Sequence, residues 1–343
     1  MTLRIGILGA GWFGREAHLR NLLQLPEVTV TAVSSRSEES RRAAREIAGP
    51  QLQVFEDWRD IVRLDSVDAL IIALTNDLHH EAAMAALQAG KHVLCEKPLG
   101  LSLQECDDII RAAEAAGRTL QVGHEMRHQG LYQRMKQRIT AGDVGDPQLM
   151  WCREYRGPMR PGWRSSQLHT GGLLLEKNCH HFDLFNWMFA AEPLRVAAFG
   201  GTNVLTDREL LDNAQVLIEY EGGRRAALEI CLFAATGGDC EIGVVGTKGR
   251  IDTRNQAIQL SYQRFEPSEH VQETVPDPDE IGFKDASGRI DRGIKAELQH
   301  FADCCRTGER PLNDGYSARR SVAVCLAAQE SIHTGNVVSL TAD

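Results

Sequence analysis

Three glycines near the start of the chain have the spacing of a loop that binds phosphate groups. Gly9, Gly11 and Gly14 form a GxGxxG pattern between an apolar strand pattern and a helical pattern. In such a loop the first glycine permits a tight turn, the second lets the backbone approach a pyrophosphate, and the third lets helix and strand pack closely. The helix N-terminus adds a positive potential at the phosphates. A chance glycine-rich turn is the alternative, but the flanking patterns favour a dinucleotide site.

The second strand pattern ends about 20 residues after the third glycine, where a ribose-reading residue is expected. A carboxylate there would bind a ribose 2′-hydroxyl, but the chain has Ser35 and Arg36. A hydroxyl and a guanidinium can hold a 2′-phosphate through charge-assisted hydrogen bonds. We therefore expect NAD(P) binding with a preference for NADP(H). The alternative is that Arg36 is only a solvated residue at a helix start.

A lysine follows the fifth strand pattern, in the sequence Cys95-Glu96-Lys97-Pro98. Open α/β sheets bind their ligands at the carboxyl ends of their strands, so Lys97 would lie beside the nicotinamide. Partial burial and nearby positive charge would suit it to general acid or base catalysis. For this motif alone, the alternative is a surface lysine that pairs with Glu96.

Apolar strand patterns alternate with helical patterns as far as residue 123, which is typical of a parallel sheet with helices on both faces. We predict an α/β Rossmann domain over residues 1–123. Its strands are predicted at residues 3–8, 28–34, 51–55, 67–74, 91–95 and 119–123. Helices are predicted at residues 12–25, 37–48, 57–63, 79–89, 102–116 and 128–141.

From Pro147 onward, strand patterns follow one another with short turns, which indicates an antiparallel sheet. Strands are predicted at residues 149–155, 214–220, 225–232, 241–245 and 258–262, with hairpin turns at residues 219–224 and 246–249. Two helices, at about 292–307 and 315–334, close the chain. Residues 124–343 are thus predicted to form an α+β domain whose sheet rests on helices. Residues 267–288 are rich in Pro, Asp, Glu and Gly and are predicted to be a long surface loop.

Composition and charge limit the classes of partner. The chain has 343 residues, 43% hydrophobic and 25% charged, which is ordinary for a globular protein of two domains. A formal net charge of −9 argues against nucleic acid and anionic membrane surfaces as partners. No apolar run reaches the ~20 residues of a membrane span, so we expect a cytoplasmic protein that binds small molecules. The nine cysteines lack CxxC spacing and are predicted to be reduced core thiols.

Taken together, the motifs resemble the Gfo/Idh/MocA oxidoreductases, the sugar and polyol dehydrogenases named for glucose-fructose oxidoreductase and inositol dehydrogenase. The resemblance covers essentially the whole chain and is carried by residues 9–14, 73–79, 89–98, 244–249 and the closing helix pair. It implies a Rossmann domain, an α+β domain with a large, mostly antiparallel sheet, and an active site between them. It also implies a homodimer or homotetramer built on the sheet.

The motifs and the resemblance give a set of predicted cofactor-binding residues. They are Gly9, Gly11, Trp12, Phe13, Gly14, Ser35, Arg36, Leu74, Asn76, His79, Glu96 and Lys97.

The family has a second active-site segment with a GG…DxxxHxxD pattern, which matches residues 171–183 here. Glu176 stands where the family usually has Asp, and Asn178 where a glycine is common, which implies a repositioned carboxylate and a distinct substrate subgroup. On a helix, Glu176 and His180 at i, i+4 share a face. We predict Lys97, His180 and Glu176 as catalytic residues, with Lys97 and His180 sharing the proton transfer. The predicted reaction moves a hydride between NAD(P) and a sugar, polyol or sugar acid.

His180, His181 and Asp183 could alternatively hold a metal ion, because they lie close in sequence. Adjacent histidines on a helix point roughly 100° apart, however, so they do not chelate together easily. The resembled family uses no metal, and none is predicted here.

Four arginines are interleaved with Tyr155 and Trp163 just before this segment: Arg153, Arg156, Arg160 and Arg164. They could clamp an acidic group and stack on a sugar ring. The alternative is a solvated basic strand or a subunit contact. The predicted substrate is a carbohydrate, with or without an acidic group. The predicted substrate-binding residues are His124, Arg153, Arg156, Trp163, Arg164 and Asp183.

Two other functions stay open at this point. Some relatives hydrolyse glycosides by transient oxidation with a tightly held NAD, so a glycoside hydrolase is the alternative enzyme class. A non-enzymatic sensor of cofactor or sugar is the other alternative, although Lys97 and His180 argue against it because a sensor needs no proton-transfer pair.

Overall fold

The structure, a computed structural model, describes residues 2–158, 162–234, 239–254, 259–275, 283–284, 290–291 and 293–340. The chain divides into two compact units. The first contains Met1–His128 and Asp279–Arg319, and the second contains Gln129–Pro278 and Arg320–Asp343. This departs from the single break near residue 123 that the sequence suggests, since a late segment returns to the first unit.

A six-stranded parallel sheet forms the centre of the first unit. Its strands are β1 (Leu3–Leu8), β2 (Val28–Ser34), β3 (Gln53–Phe55), β4 (Ala69–Ile72), β5 (His92–Glu96) and β6 (Leu120–Gly123). They lie in the order β3-β2-β1-β4-β5-β6, and each neighbouring pair is parallel. This order confirms the predicted Rossmann fold. Because β1, β4 and β5 are parallel neighbours, their carboxyl ends meet at one edge, where ligands bind.

The helices of the sheet's crossovers follow the predicted pattern. They are α1 (Gly14–Leu19 with π-type hydrogen bonding, then Arg20–Leu22), α2 (Glu38–Ala48), α3 (Trp58–Val62), α4 (His79–Gln88) and α5 (Leu103–Ala116). Short 3₁₀ turns lie at Asn76–Leu78 and Glu125–His128. α1 ends before the predicted residue 25 because Pro26 disfavours helical backbone at Leu25. Ser37 and Ser102 cap α2 and α5 with their side chains.

The second unit begins with helices and continues as a sheet. The helices are α6 (Gly130–Thr140), α7 (Gln167–Thr170) and α8 (Leu174–Asn178 with π-type hydrogen bonding, then Cys179–Phe189). Short 3₁₀ turns lie at Trp163–Ser165 and Glu221–Gly223. The strands are β7 (Pro147–Tyr155), β8 (Pro193–Gly201), β9 (Asn213–Tyr220), β10 (Arg225–Cys231), β11 (Asp239–Gly246), β12 (Gly249–Arg254), β13 (Gln259–Arg264) and β14 (Glu269–Thr274). α8, β8 and β12 were not predicted from the sequence.

The nine strands of this sheet lie in the order β14-β13-β12-β11-β7-β10-β9-β8-β17, where β17 is Val338–Ser339. Its pairs are antiparallel except β7 with β10, which confirms a mostly antiparallel sheet. Both predicted hairpin turns are present, between β9 and β10 and between β11 and β12. Along β7 the even-numbered residues Met150, Cys152 and Glu154 are buried, so the sheet has one inner face.

β14 corrects the prediction of a surface loop over residues 267–288. The segment has few apolar side chains, but it lies at the edge of the sheet and pairs with β13 along its whole length. Glu273 also forms ion pairs with Arg134 and Arg138 of α6, at 2.8 and 2.7 Å. Backbone pairing and charge therefore hold this strand without a buried apolar stripe. Beyond residue 275, the predicted loop lies outside the described residues except for β15 (Phe283–Lys284), which pairs with β16 (Ile290–Asp291). The first residue of the strand predicted at 258–262 also lies outside the described residues.

Two long helices close the chain, α9 (Ile294–Thr307) and α10 (Gly315–Thr334). The prediction that both support the second sheet is wrong for α9. Its side chains Ile294, Leu298 and Phe301 lie in the hydrophobic core of the first unit, and burial of this apolar stripe explains why the chain returns there. Among the described residues, no helix combines the length and the apolar character that crossing a bilayer would require.

Candidate active site

The three glycines after β1 meet different surroundings. A Cβ atom at Gly9, whose φ is +99°, would overlap the carbonyl of Ala73, and one at Gly14 would overlap the carbonyl of Gly9. A Cβ at Gly11 would meet no protein atom within 4 Å. The first and third glycines are thus required by the protein's own backbone. The second faces open space, which fits a loop that leaves room for a pyrophosphate.

Hydrogen bonds to β2 hold this loop in place. Ala10 donates its backbone N–H to the carbonyl of Ser34 at 2.6 Å, and Gly9 donates to the Ser34 hydroxyl at 3.3 Å. The Arg15 guanidinium donates to the carbonyl of Ala10 at 2.8 Å. The loop is therefore shaped by the chain itself, before any ligand binds.

Two aromatic residues of the predicted cofactor set lie in the same loop. Trp12 is exposed, whereas Phe13 is half-buried and its ring meets that of His18 edge-on, with centroids 5.2 Å apart. Phe13 thus packs on the protein, whereas the Trp12 side chain is exposed to solvent.

The chain after β2 presents the two residues predicted to read the ribose. The Arg41 guanidinium donates to the carbonyls of Ser35 and Arg36, at 2.6 and 3.1 Å, and so fixes their backbone. The Arg36 side chain is exposed and has no ion pair or side-chain hydrogen bond with any residue that the structure describes. The Ser35 hydroxyl accepts the N–H of Ser37 at 3.3 Å. Arg41, which the sequence reasoning missed, is a positioning residue for this turn.

Glu96 at the end of β5 is buried rather than a surface partner of Lys97. Its carboxylate accepts a hydrogen bond from His18 Nε2 of α1 at 2.9 Å. Burial alone would raise the pKa of Glu96, but the bond to His18 and the charge of Lys97 lower it below its usual value. The Glu96 carboxylate also accepts the Lys97 N–H at 3.3 Å. These bonds tie the lysine's backbone to the helix that follows the glycine loop.

His79 is buried between two backbone carbonyls, and its predicted role in cofactor binding stays a prediction. Its Nδ1 donates to the carbonyl of Pro98 at 2.7 Å, and its Nε2 lies 3.3 Å from the carbonyl of Leu74. Burial lowers the pKa of His79, so the ring is neutral at pH 7. The imidazole thus links the segments that follow β4 and β5 and positions the backbone beside Lys97.

Three further predicted residues lie near these segments. Asn76 is buried at the start of its 3₁₀ turn, and Leu74 is half-buried. His124 is buried just after β6, where its N–H donates to the carbonyl of Val122 at 2.7 Å. Their roles in binding cofactor or substrate stay predictions.

In the second unit, the π-type turn at the start of α8 carries Glu176. Its carboxylate is buried and accepts a hydrogen bond from Arg164 Nε at 3.2 Å. The Arg164 guanidinium also lies over the Trp163 ring, 5.0 Å from its centroid. The structure thus brings together three predicted residues, and it balances the arginine's charge with a carboxylate.

A second buried carboxylate, Glu154 of β7, was not predicted and gathers several cationic groups. Arg156 Nη1 and Lys177 Nζ lie 3.2 and 3.5 Å from its Oε1. Asn178 Nδ2 donates to Oε2 at 3.3 Å, and His181 Nδ1 lies 3.9 Å away. Burial would raise the pKa of Glu154, but Lys177, His181 and Arg156 lower it to about 2. Glu154 is therefore ionised and neutralises Arg156.

His181 connects Glu154 to two cysteines on the inner face of the sheet. Its Nε2 lies 3.6 Å from Cys240 Sγ, and Cys152 lies beside both. Burial would lower the pKa of His181, but Glu154 raises it. Hydrogen bonds from Cys152 and His181 lower the pKa of Cys240 to about 6. Burial raises the pKa of Cys152, so the two thiols of this pair differ. No described cysteine forms a disulfide.

His180 and Asp183 are both buried in α8. Beside them the Tyr220 hydroxyl donates to Asn186 Oδ1 at 2.9 Å, and burial together with the Asp183 charge raises the pKa of Tyr220. The roles of His180 in proton transfer and of Asp183 in substrate binding stay predictions.

Arg153 does not share the buried carboxylate of Arg156, and its predicted role in substrate binding stays a prediction. It lies on the face of β7 opposite to Glu154, where Nη2 donates to Glu241 at 2.9 Å and the guanidinium lies 5.5 Å from the centroid of the Tyr155 ring. Strand alternation explains this, because adjacent residues of a strand point to opposite faces. Arg160 lies outside the described residues.

Glu154 and His18 left signals in the sequence. A charged residue interrupts the apolar even-numbered positions of β7 at Glu154, and a lone histidine lies among the apolar residues of α1 at His18. Buried charges need partners, so each position could have been read as half of an internal pair.

Two models of one protein family match this chain, one over its N-terminal part and one over its C-terminal part. Residues 3–124 match the family described as "Oxidoreductase family, NAD-binding Rossmann fold", and residues 136–340 match its "C-terminal alpha/beta domain". The chain belongs to the Gfo/Idh/MocA oxidoreductase family.

Individual relatives in this family are distant but span the whole chain. The inositol 2-dehydrogenase of Klebsiella pneumoniae is 29% identical over 335 residues, which cover 96% of this chain and 94% of the relative. The crystal structure of an oxidoreductase domain protein from Kribbella flavida has a TM-score of 0.89 at 22% identity and covers 100% of both chains. That of the myo-inositol 2-dehydrogenase from Lactobacillus plantarum has a TM-score of 0.84 at 22% identity and covers 99% of this chain and 100% of that one. These structures share the fold.

The glycine surroundings give a test of the cofactor loop. Gly11→Ala should leave the melting temperature unchanged, since the added methyl group meets no protein atom, but it should raise the Kd for the dinucleotide roughly tenfold or more, equal to ~1.4 kcal/mol. Gly14→Ala is the control and should destabilise the fold by about 1–3 kcal/mol through overlap with backbone. Thermal unfolding and cofactor titration by fluorescence measure both. Unchanged dinucleotide affinity in Gly11→Ala would contradict a pyrophosphate at this position.

Proposed function

We propose that the protein transfers a hydride between NAD(P) and the carbinol or carbonyl carbon of a sugar or polyol. The observation that carries this proposal lies in the first unit. The glycine loop follows β1 and Lys97 follows β5, and both strands end at the same edge of one parallel sheet. Family membership and relatives named inositol 2-dehydrogenase support the same reaction.

Each proposed catalytic residue has one task in the oxidation direction. NAD(P)⁺ supplies the hydride acceptor. The Lys97 amine takes the proton from the substrate hydroxyl, and His180 assists that transfer as a second acid or base. Glu176, held by Arg164, orients a substrate hydroxyl or the His180 ring. In the reverse direction, the same groups return the proton to a carbonyl oxygen.

The charge balance favours an uncharged substrate over a sugar acid. Arg156 and Arg164, which the sequence suggested as an anion clamp, are paired with the buried carboxylates of Glu154 and Glu176. Each carboxylate offsets the positive charge that would attract a substrate carboxylate. We therefore expect higher kcat/KM for neutral polyols such as inositols than for uronates.

Lys97→Ala should lower kcat about 10²- to 10⁴-fold, the usual contribution of a general acid or base, without abolishing cofactor binding. Lys97→Arg is the matched control, because it keeps the positive charge but cannot give up a proton near neutral pH. It should be as inactive as Lys97→Ala. The rates are measured from absorbance of the reduced cofactor with polyols, aldoses and uronates, and cofactor binding from fluorescence.

Retained turnover in Lys97→Arg would show that only the charge matters and would remove proton transfer from Lys97. Steady glycoside cleavage without net reduction of cofactor would overturn the dehydrogenase proposal in favour of a hydrolase.

We propose that NADP(H) is the preferred cofactor, since Arg36 is exposed and its backbone is fixed by Arg41. Arg36→Ala should raise KM for NADP⁺ about 10- to 100-fold, the loss of one charge-assisted contact, and leave KM for NAD⁺ unchanged. Arg42→Ala, at an exposed position of α2 that pairs with Glu46, is the control. An equal change for both cofactors in Arg36→Ala would contradict this preference.

We also propose that a second copy of the chain covers the outer face of the nine-stranded sheet, as the sequence resemblance predicts. Phe199 and Leu217 are 78% and 62% exposed on that face. Leu217→Arg should shift the protein toward a monomer in sedimentation equilibrium, whereas Leu168→Arg, at a position 73% exposed on α7, should not. A wild-type chain that sediments as a 38.0 kDa monomer would contradict the proposal.

A further inference from the structure

The inner face of the second sheet carries a group of side chains that the proposed reaction does not use. Cys152 of β7, Cys240 of β11 and His181 of α8 place their ligand atoms within 4.8 Å of one another. We propose that these three residues form a binding site for a thiophilic divalent metal ion, of which Zn²⁺ is the best match. The proposal is independent of the dehydrogenase proposal, since it concerns other side chains.

The distance between Cys240 and His181 matches that between two ligands of a tetrahedral ion. Zn–S bonds of about 2.3 Å and Zn–N bonds of about 2.0–2.1 Å place a sulfur and a nitrogen ligand about 3.6 Å apart, and two sulfurs about 3.8 Å apart. Cys240 Sγ lies 3.6 Å from His181 Nε2. Cys152 Sγ lies within 4.8 Å of both, so all three ligand atoms are near enough to share one ion after side-chain adjustment.

The sheet register fixes the two sulfurs on one side. β7 and β11 are antiparallel, with Cys152 opposite Ile242 and Cys240 opposite Glu154. The two cysteines are therefore diagonal neighbours on the same face, because residues two apart on a strand share a face. His181 approaches this face from α8. The ligands thus come from three elements that the fold already holds together.

The other nitrogen of His181 has the surroundings of a metal-bound histidine. A ligating imidazole usually presents its second nitrogen to a carboxylate or another polar group, which fixes the ring orientation. His181 Nδ1 lies 3.3 Å from the amide Nδ2 of Asn178 and 3.9 Å from Glu154 Oε2. When the Asn178 amide is turned so that its oxygen, which has no partner among the described residues, accepts the Nδ1 proton, the Nε2 lone pair is available to the metal.

Charge and protons balance for such a site. Binding of Zn²⁺ by two thiolates and a neutral imidazole gives a complex without net charge. The two thiols lose their protons to solvent as the Zn–S bonds form, so affinity rises with pH. Three protein ligands leave one tetrahedral position for water. The set differs from the His180, His181 and Asp183 group considered from the sequence, and only His181 is common to both.

Metal analysis of the purified full-length protein tests the site. The protein is freed of metal with chelator and reductant, then titrated with Zn²⁺ or with Co²⁺ as the spectroscopic probe. We expect one tightly bound ion per chain, a thiolate-to-Co²⁺ charge-transfer band, and a higher melting temperature with Zn²⁺. Cys152→Ser and Cys240→Ser should abolish the band. Cys231→Ser, on the neighbouring strand β10 but outside the group, is the matched control and should keep it.

A second measurement uses the unmodified chain, in case a variant does not fold. X-ray absorption at the zinc edge should give two sulfur ligands at about 2.3 Å and at least one nitrogen at about 2.0–2.1 Å. Absence of tight binding, a coordination shell without sulfur, or a charge-transfer band unchanged in folded Cys240→Ser would overturn the proposal. A Cys152–Cys240 disulfide with no metal uptake after reduction would do the same. None of these results depends on dehydrogenase activity.

Discussion

The hydrogen bond between Glu96 and His18 is the contact on which the cofactor side of the molecule depends. It joins the end of β5 to α1, the helix that follows the glycine loop. Removal of one partner would leave a buried polar group without its hydrogen bond, which commonly costs about 1–3 kcal/mol. The pair therefore holds the phosphate-binding loop and the backbone of Lys97 in one rigid arrangement. His79 adds a second link from the segment after β4.

Glu154 has the corresponding place in the second unit. A buried carboxylate on β7 requires positive or donor groups, and α8 provides Lys177, Asn178 and His181 on one helical stretch. Because these three residues must all face Glu154, they fix the orientation of α8 about its own axis, and α8 also carries His180. The ionised Glu154 carboxylate thus positions α8, and through His181 it also contacts the pair Cys152 and Cys240.

Predictions from the sequence succeeded where the signal is local and failed where a distant partner decides. The parallel strands of the first unit were found because their apolar runs alternate with amphipathic helices. β14 was missed because its stability comes from pairing with β13 and from the ion pairs of Glu273. α9 was assigned to the wrong sheet because an amphipathic helix shows which face is apolar, but not which core receives it. Arg153 was grouped with Arg156 although the odd-numbered face of β7 points away from the inner face.

By itself the sequence determined the family, the Rossmann fold, the glycine loop and the candidacy of Lys97 and His180, because these depend on residue types at fixed short spacings. Only the tertiary structure decided which charges are free and which are neutralised. Glu154 lies 86 positions before Cys240 in the chain, yet the two are direct partners across β7 and β11. Such pairs form through strand register and helix packing, which bring distant residues within hydrogen-bond range. Spacing along the sequence does not show which distant residues will meet in space. The group of Cys152, His181 and Cys240 was therefore found only from the fold.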